Sequence, residues 1–369
     1  MSLSQIYIHQ QVVDESSVHT IRFRLPHVPV QTVQNSQAVF DALHRQASDK
    51  IQAGKEILYL NRNKGAFLKD CPGTRAYTCC GYKILHIGSF CTMDCSYCIL
   101  QTYFHPPVLQ YFVNHDRLDM ELDRLFSEPG IHRVGTGEFT DSLIWEPWTD
   151  LSRYLVPRFA AQRRAILELK TKTTAISNLS TLSHEQKTIM AWSLNTKAVI
   201  SHEERQTASL GARIRAAATC QSWGYPLAFH FDPMVIYPGC EADYENVIDS
   251  LFSRIDPDRI VWISLGTFRF IPPLKPIITR RFPDSKIIYG ELIPGLDGKM
   301  RYFKPLRIAL YEKMVRWIRE KAPNVMVYLC MEDDEVWQKS FGFIPSEKGG
   351  LSHMLDDSAR EICGLEPTT

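Results

Sequence analysis

The chain has 369 residues, 44% hydrophobic and 22% charged, a composition that excludes wholesale disorder and a collagen-like repeat. Lys and Arg number 42 against 41 Asp and Glu, a formal charge of +1, which excludes broad coating of nucleic acid and leaves room only for a local basic groove. No apolar run approaches the roughly 20 residues of a bilayer span, and the start MSLSQIYIHQQVVDESS lacks the regions of a secretory signal, so a cytoplasmic protein without a membrane anchor is expected.

Residues 1–80 read as an N-terminal α/β extension. Within it, the amphipathic stretch Gln37–Ala53 predicts a helix, and KDCPGTRAYTCCGY predicts a loop. From residue 81 to 271 the rhythm changes. Six apolar runs, YKILHIGSF, HRVGTGEF, RAILELKTK, TIMAWSLN, YPLAFHFDP and RIVWISLG, alternate with helical patterns or, once, with a short polar connection. Continuous apolar, β-branched runs between helices predict parallel strands in βα units. The fold class is therefore α/β, a partial (β/α)6 barrel, with an open doubly wound sheet as the rival; in either, the chemistry belongs at the C-terminal strand ends. Residues 272–369 form a C-terminal α+β extension with a long helix over RIALYEKMVRWIREKA and a strand at NVMVYLCM.

Ten cysteines spread through a chain without a signal point to metal ligation before disulfides. Three of them, Cys91, Cys95 and Cys98, form CxxxCxxC directly after the first strand. Three thiolates in one loop can hold three irons of a 4Fe–4S cluster and leave the fourth iron open. Zinc would usually draw paired CxxC arms and a fourth ligand. Cys71, Cys79 and Cys80 form a second group, read as incidental thiols because two are adjacent and no fourth ligand is near. Trp192, Trp223 and Trp262 read as core.

The motif CTMDCSYC, with Tyr97 at its aromatic position, resembles the radical S-adenosylmethionine (SAM) superfamily. The resemblance implies that SAM chelates the open iron and that one electron converts it to methionine and a hydrogen-abstracting 5′-deoxyadenosyl radical. It also implies an electron donor such as flavodoxin or ferredoxin. The strand ends carry groups suited to SAM. Gly135 and Gly137 allow close backbone approach, Glu138 and Asp141 can accept from an ammonium, and Glu138 falls where the superfamily contacts the methionine amine. Lys172 suits a carboxylate, Ser193 and Asn195 suit a carboxylate or ribose hydroxyls, and His230 and Asp232 point to the same rim.

CTMDCSYCILQTYF with YFVNHD, the FTDS region, LKTK, WSLN with TASLGARIRAA, and GYPLAFHFDPM together resemble the spore photoproduct lyase and DNA-photolyase-like family, over about residues 82–271. The resemblance implies lyase-like repair of a damaged pyrimidine in DNA, by hydrogen abstraction and fragmentation of a thymine–thymine cross-link. Two positions depart from the family. GTGEFTDS has no cysteine where the family returns hydrogen to the product, and Ile99 stands where the family has a tyrosine. Tyr103, Tyr111, Cys240 and Cys330 are the candidate replacements. Lys299, Arg301, Lys304 and Arg307 around Tyr302 and Phe303 suit a DNA backbone and a base, where the family has a basic-aromatic hairpin. One alternative keeps the cofactors and acts on a nucleotide, RNA or small molecule; a second is a zinc-stabilised nucleic-acid-binding module.

Overall fold

The computed structural model describes residues 3–46, 48–73 and 77–366. Its centre is an eight-stranded sheet: β1 (Leu68–Asp70), β2 (Lys83–Leu85), β3 (His132–Gly135), β4 (Ala165–Thr171), β5 (Thr188–Ser193), β6 (Leu227–Met234), β7 (Ile260–Thr267) and β8 (Val327–Leu329). Spatial order follows chain order throughout. Every neighbouring pair is parallel except β1 with β2. A doubly wound sheet would reverse its order at a switch point. This one does not, and it curls into a partial barrel.

All six expected strands are present. β4, β5, β6 and β7 are almost wholly buried, which is why they read as unbroken apolar runs. Helices His115–Ser127, Leu151–Ala160, Leu210–Ser222, Cys240–Phe252 and Lys304–Lys321 lie between successive strands. The first of these buries Leu118, Leu122 and Leu125, one stripe at helical spacing. Between β4 and β5 there is only the short turn Ser177–Leu179.

Sheet membership crosses the expected boundaries at 80 and 271. β8 pairs with β7 through Ile263 and Val327, so the C-terminal extension supplies the last barrel strand. A second sheet joins Gln5–His9, Val30–Val33 and Ile57–Asn61 to Leu109–Phe112 and Gly88–Ser89 from beyond residue 80. The single helix expected over Gln37–Ala53 is two, Ser36–Gln46 and Lys50–Gly54. Asp49 restarts the chain as an N-cap, its Oδ1 accepting from the N–H groups of Ile51 and Gln52, both at 3.1 Å. Position 47 in that stretch and 74–76 in the loop expected after it lie outside the described residues.

Gly135 ends β3 under the Tyr82 ring, and a Cβ there would sit 1.4 Å from the Tyr82 hydroxyl oxygen. Gly135→Ala is expected to destabilise the fold by about 1–3 kcal/mol. Urea unfolding checks this, and the loss should shrink in a Tyr82→Phe background because the two sites share one space.

Candidate functional site

The cysteine loop leaves Ser89 through Phe90, whose φ of +74° turns the chain sharply. Cys91 and Cys95 are buried and Cys98 is half-buried. Buried cations tie the loop down from two sides. Lys55 donates to the carbonyl oxygens of Cys91 (3.2 Å) and Met93 and lies 3.5 Å from Asp94. Arg281 reaches the same Asp94 with two bonds, at 3.0 and 3.2 Å. Asp94–Cys95 also pairs antiparallel with Glu204–Arg205.

Burial pushes the Cys91 thiol up to about 12, with the charges of Asp141 and Cys98 adding to the rise. Burial likewise raises Cys95, which feels both Cys91 and Cys98. The three thiols come from one loop of eight residues. Among the described residues, however, no three His, Cys, Asp or Glu side chains converge tightly enough to hold a single ion. Soft thiolate donors spread over one loop suit the face of an iron–sulfur cube better than a lone zinc, and metal must displace the thiol protons to bind.

Tyr97 donates its hydroxyl to Glu204, whose other oxygen takes the fully buried guanidinium of Arg213. Lys172 stands 5.8 Å above the Tyr97 ring. Burial raises the Glu204 carboxyl, yet Lys172, Arg213 and the bonds from Tyr97 and Arg213 hold it below its ordinary value.

Beside this loop, the strand ends enclose a cavity of about 180 Å³. Glu168 and Lys170 point to the same face of β4, since alternate residues share a face, and Lys172 follows one residue past the strand's end. The first two line the cavity and the third faces the cysteine loop, so the end of β4 joins the two regions. Glu138, His230 and Asp232 also line it. Arg269 holds Asp232 with two bonds of 3.1 and 3.0 Å, and Trp262 donates to Glu168 at 3.0 Å. His230 Nδ1 meets the Ser264 hydroxyl at 2.9 Å; its Nε2 lies 3.1 Å from Glu168 but off hydrogen-bonding alignment, which leaves a buried nitrogen without a bonded partner. Burial lowers Lys170, but Glu138, Glu168 and Asp232 together raise it above its ordinary value, so it stays a cation.

The structure therefore gathers Glu138, His230 and Asp232 at the cavity, and Tyr97 and Lys172 at the cysteine loop. Two expected cofactor contacts are corrected. Asp141 is taken up by the protein, accepting from the N–H groups of Leu143 (3.0 Å) and Lys172 (2.8 Å) and from the Thr171 hydroxyl (2.8 Å). Asn195 donates to the Pro233 carbonyl (2.7 Å) and accepts from the Tyr244 hydroxyl (2.9 Å) and the Thr196 N–H (3.0 Å). Asn195 is buried and Asp141 half-buried, where unmet polar atoms are costly, so each stitches strand ends together. Ser193 is buried, and its carbonyl accepts from Arg213 at 2.9 Å. Trp192 and Trp262 are buried, as expected of core.

The basic-aromatic segment is corrected more heavily. It forms one side of a hairpin, Leu292–Pro294 with Met300–Tyr302, but its charges are internally paired. Arg301 is buried on Asp297 (2.7 Å) and the Met331 carbonyl (3.1 Å). Lys299 lies 3.4 Å from Asp297, and Lys304 holds Asp333 and Glu335 at 2.9 and 2.8 Å. Arg307 forks onto Glu332 at 2.9 and 3.0 Å. Tyr302 is buried, its hydroxyl accepting from the Ile236 N–H at 3.2 Å. The hairpin exposes apolar side chains instead, Leu296 at its tip (77% exposed) and Ile293.

Glu168, Lys170, Glu204, Arg213 and Arg269 escaped the sequence reading. For Glu168 and Lys170 a signal existed: two charges alternate with apolar residues inside AILELKT, an otherwise buried strand. Arg213 sits in a helix and finds its partners in residues 204–208 just before that helix and at Ser193, the end of β5, and no motif marks it.

A family model described as spore photoproduct lyase matches residues 74–301. The curated spore photoproduct lyase of Bacillus subtilis (strain 168) is 27% identical over 248 residues, 64% of this chain and 72% of that protein. That of Geobacillus sp. (strain Y412MC61) is 27% identical over 210 residues, 56% of this chain and 62% of that protein. A solved structure of a spore photoproduct lyase mutant with bound AdoMet and dinucleoside spore photoproduct has the same fold, with a TM-score of 0.78 at 21% identity over 89% of this chain and 99% of the other.

Proposed function

Because this chain belongs to the spore photoproduct lyase family, we propose that its cavity receives a thymine lesion of DNA and that its cysteine loop holds the cofactors that break it. The chain is a radical SAM lyase by family. The observation that carries the finer reading is the meeting of two features at the end of β4: the three-thiol loop faces Lys172, just past that strand, while Glu168 and Lys170 within it line a cavity.

In this reading Cys91, Cys95 and Cys98 hold a 4Fe–4S cluster. When bound, cluster and SAM supply a radical able to take a hydrogen atom from the substrate. Lys172 receives the SAM carboxylate and Glu138 its ammonium, with Tyr97 and Ser193 shaping the floor. His230 Nε2, Lys170 and the Asp232–Arg269 pair offer hydrogen bonds to the carbonyl and imide groups of a pyrimidine. The cavity is smaller than the roughly 300–1,000 Å³ of a drug-sized site, which suits one base-sized ring entering while the rest of the lesion stays at the mouth. With its cations neutralised internally, the hairpin contributes Leu296 and Ile293 as an apolar wedge beside the lesion, and it does not grip phosphates through Arg301 or Lys304. A flavodoxin- or ferredoxin-class protein supplies the electron, in the cytoplasm. No helix among the described residues is long and apolar enough to cross a membrane.

The test is anaerobic reconstitution with iron and sulfide, followed by SAM, dithionite and dinucleoside spore photoproduct. A brown protein that forms 5′-deoxyadenosine and converts the lesion to thymidine supports the reading. SAM cleavage with the lesion untouched moves the substrate elsewhere, and a colourless protein removes the radical chemistry.

A further inference from the structure

Fragmentation of a thymine cross-link leaves one base as a carbon radical that is short of a hydrogen atom. Glu138 lines the cavity, and a carboxyl group does not give up its hydrogen as an atom. Resting on the lyase reading above, we propose that Cys330 is the hydrogen-atom donor to the product radical.

Of Tyr103, Tyr111, Cys240 and Cys330, only Cys330 lines the cavity. Tyr111 is buried in the second sheet against Trp145, with ring centres 5.3 Å apart. Cys240 opens the helix Cys240–Phe252 and packs in the main core. Tyr103 is half exposed at the end of the short helix Leu100–Tyr103.

Cys330 is held in place by the barrel itself. It follows β8 directly, its N–H donates to the Leu265 carbonyl at 2.9 Å, and Arg269 Nη2 meets its sulfur at 3.5 Å. The charges that act on it are those of Arg269, Asp232, Lys170 and Glu138, the same strand-end groups that ring the cavity. Burial pushes its thiol up to about 11, so the S–H bond is intact at neutral pH. The neighbouring thiols are less suited. Cys79 is exposed and lowered to about 5, chiefly by the adjacent Cys80, so its S–H bond is not intact at neutral pH. Cys71 also lines the cavity, from the end of β1 at the opposite edge of the sheet.

The step balances on one hydrogen atom. The Cys330 S–H bond breaks homolytically, a C–H bond forms on the thymine carbon, and the unpaired electron passes to sulfur. One electron from a flavodoxin- or ferredoxin-class reductant and one proton from water then restore the thiol. Arg269, 3.5 Å away, favours the anionic sulfur formed between those two events.

The test runs the reconstituted full-length enzyme in D2O with SAM, reductant and dinucleoside spore photoproduct. Wild type is expected to place one deuterium in the thymine base of a product thymidine, because the thiol exchanges with solvent. Cys330→Ala should still form 5′-deoxyadenosine but lose both that deuterium and the matched formation of thymidine. Cys330→Ser, which keeps the side chain's shape beside Arg269, should behave alike and covers the case of an unstable alanine variant. Unchanged deuterium and thymidine yield in both Cys330 variants overturns the assignment, as does a loss that follows Cys71→Ala instead. If wild type makes 5′-deoxyadenosine and repairs nothing, the lyase reading fails and the assignment falls with it; repair that ignores Cys330 fails the assignment alone.

Discussion

Cys91→Ala is expected to give a folded protein that carries no 4Fe–4S chromophore near ~400 nm and forms no 5′-deoxyadenosine. The thiol is small, and its loss removes little packing, so the fold should change by only about 1 kcal/mol. The ligand set, by contrast, falls from three thiolates to two, and alanine offers no donor in place of the lost sulfur. Absorbance and iron content after anaerobic reconstitution measure the first effect, and chromatography of SAM products the second. Lys55→Met is the informative companion. Lys55 touches no sulfur but fastens the carbonyl oxygens of Cys91 and Met93, so it should weaken cluster retention by about 10–100-fold, as loss of an outer support does. A Cys91→Ala protein that still turned brown would show that the loop is not the cluster site.

The second large effect is one of stability. Arg213 is wholly buried and satisfied in four directions: the Glu204 carboxylate, the Thr207 hydroxyl (2.8 Å) and the carbonyl oxygens of Ala208 (2.8 Å) and Ser193 (2.9 Å). Arg213→Met keeps the stem and strips the charge, which strands Glu204 in the interior. Breaking a buried pair from one side typically costs about 3–5 kcal/mol. Denaturant unfolding should record a loss of that size. Because Glu204 pairs with Cys95 across two strands and anchors Tyr97, cluster content should fall as well. Arg213→Lys should recover little, since an ammonium cannot reproduce the planar fork that spans four acceptors. A double variant, Arg213→Met with Glu204→Gln, should regain part of the stability by removing the stranded charge.

These effects follow from different kinds of information. The six barrel strands and their helices were legible because buried parallel strands need continuous apolar runs and helices need a stripe at 3.6 spacing, both local properties of the chain. CTMDCSYC was legible for the same reason: a cluster takes its ligands from one loop, and the loop is written in eight consecutive letters.

What sequence alone determined, then, is the βα rhythm, the strand ends as the place of chemistry and the three thiols. Tertiary structure decided the fate of the polar residues, because a charge is defined by what it meets. Arg301, Lys304 and Arg307 look like a basic patch in one dimension and are neutralised by Asp297, Asp333 and Glu332 in three. Asp141 and Asn195 look free and are taken up by neighbouring strand ends. Cys330 looks remote, 232 positions beyond Cys98 (330 minus 98), until β8 pairs with β7 and carries it to the cavity wall. Pairing across such separations depends on how strands close into a barrel, and no local pattern of residues encodes that.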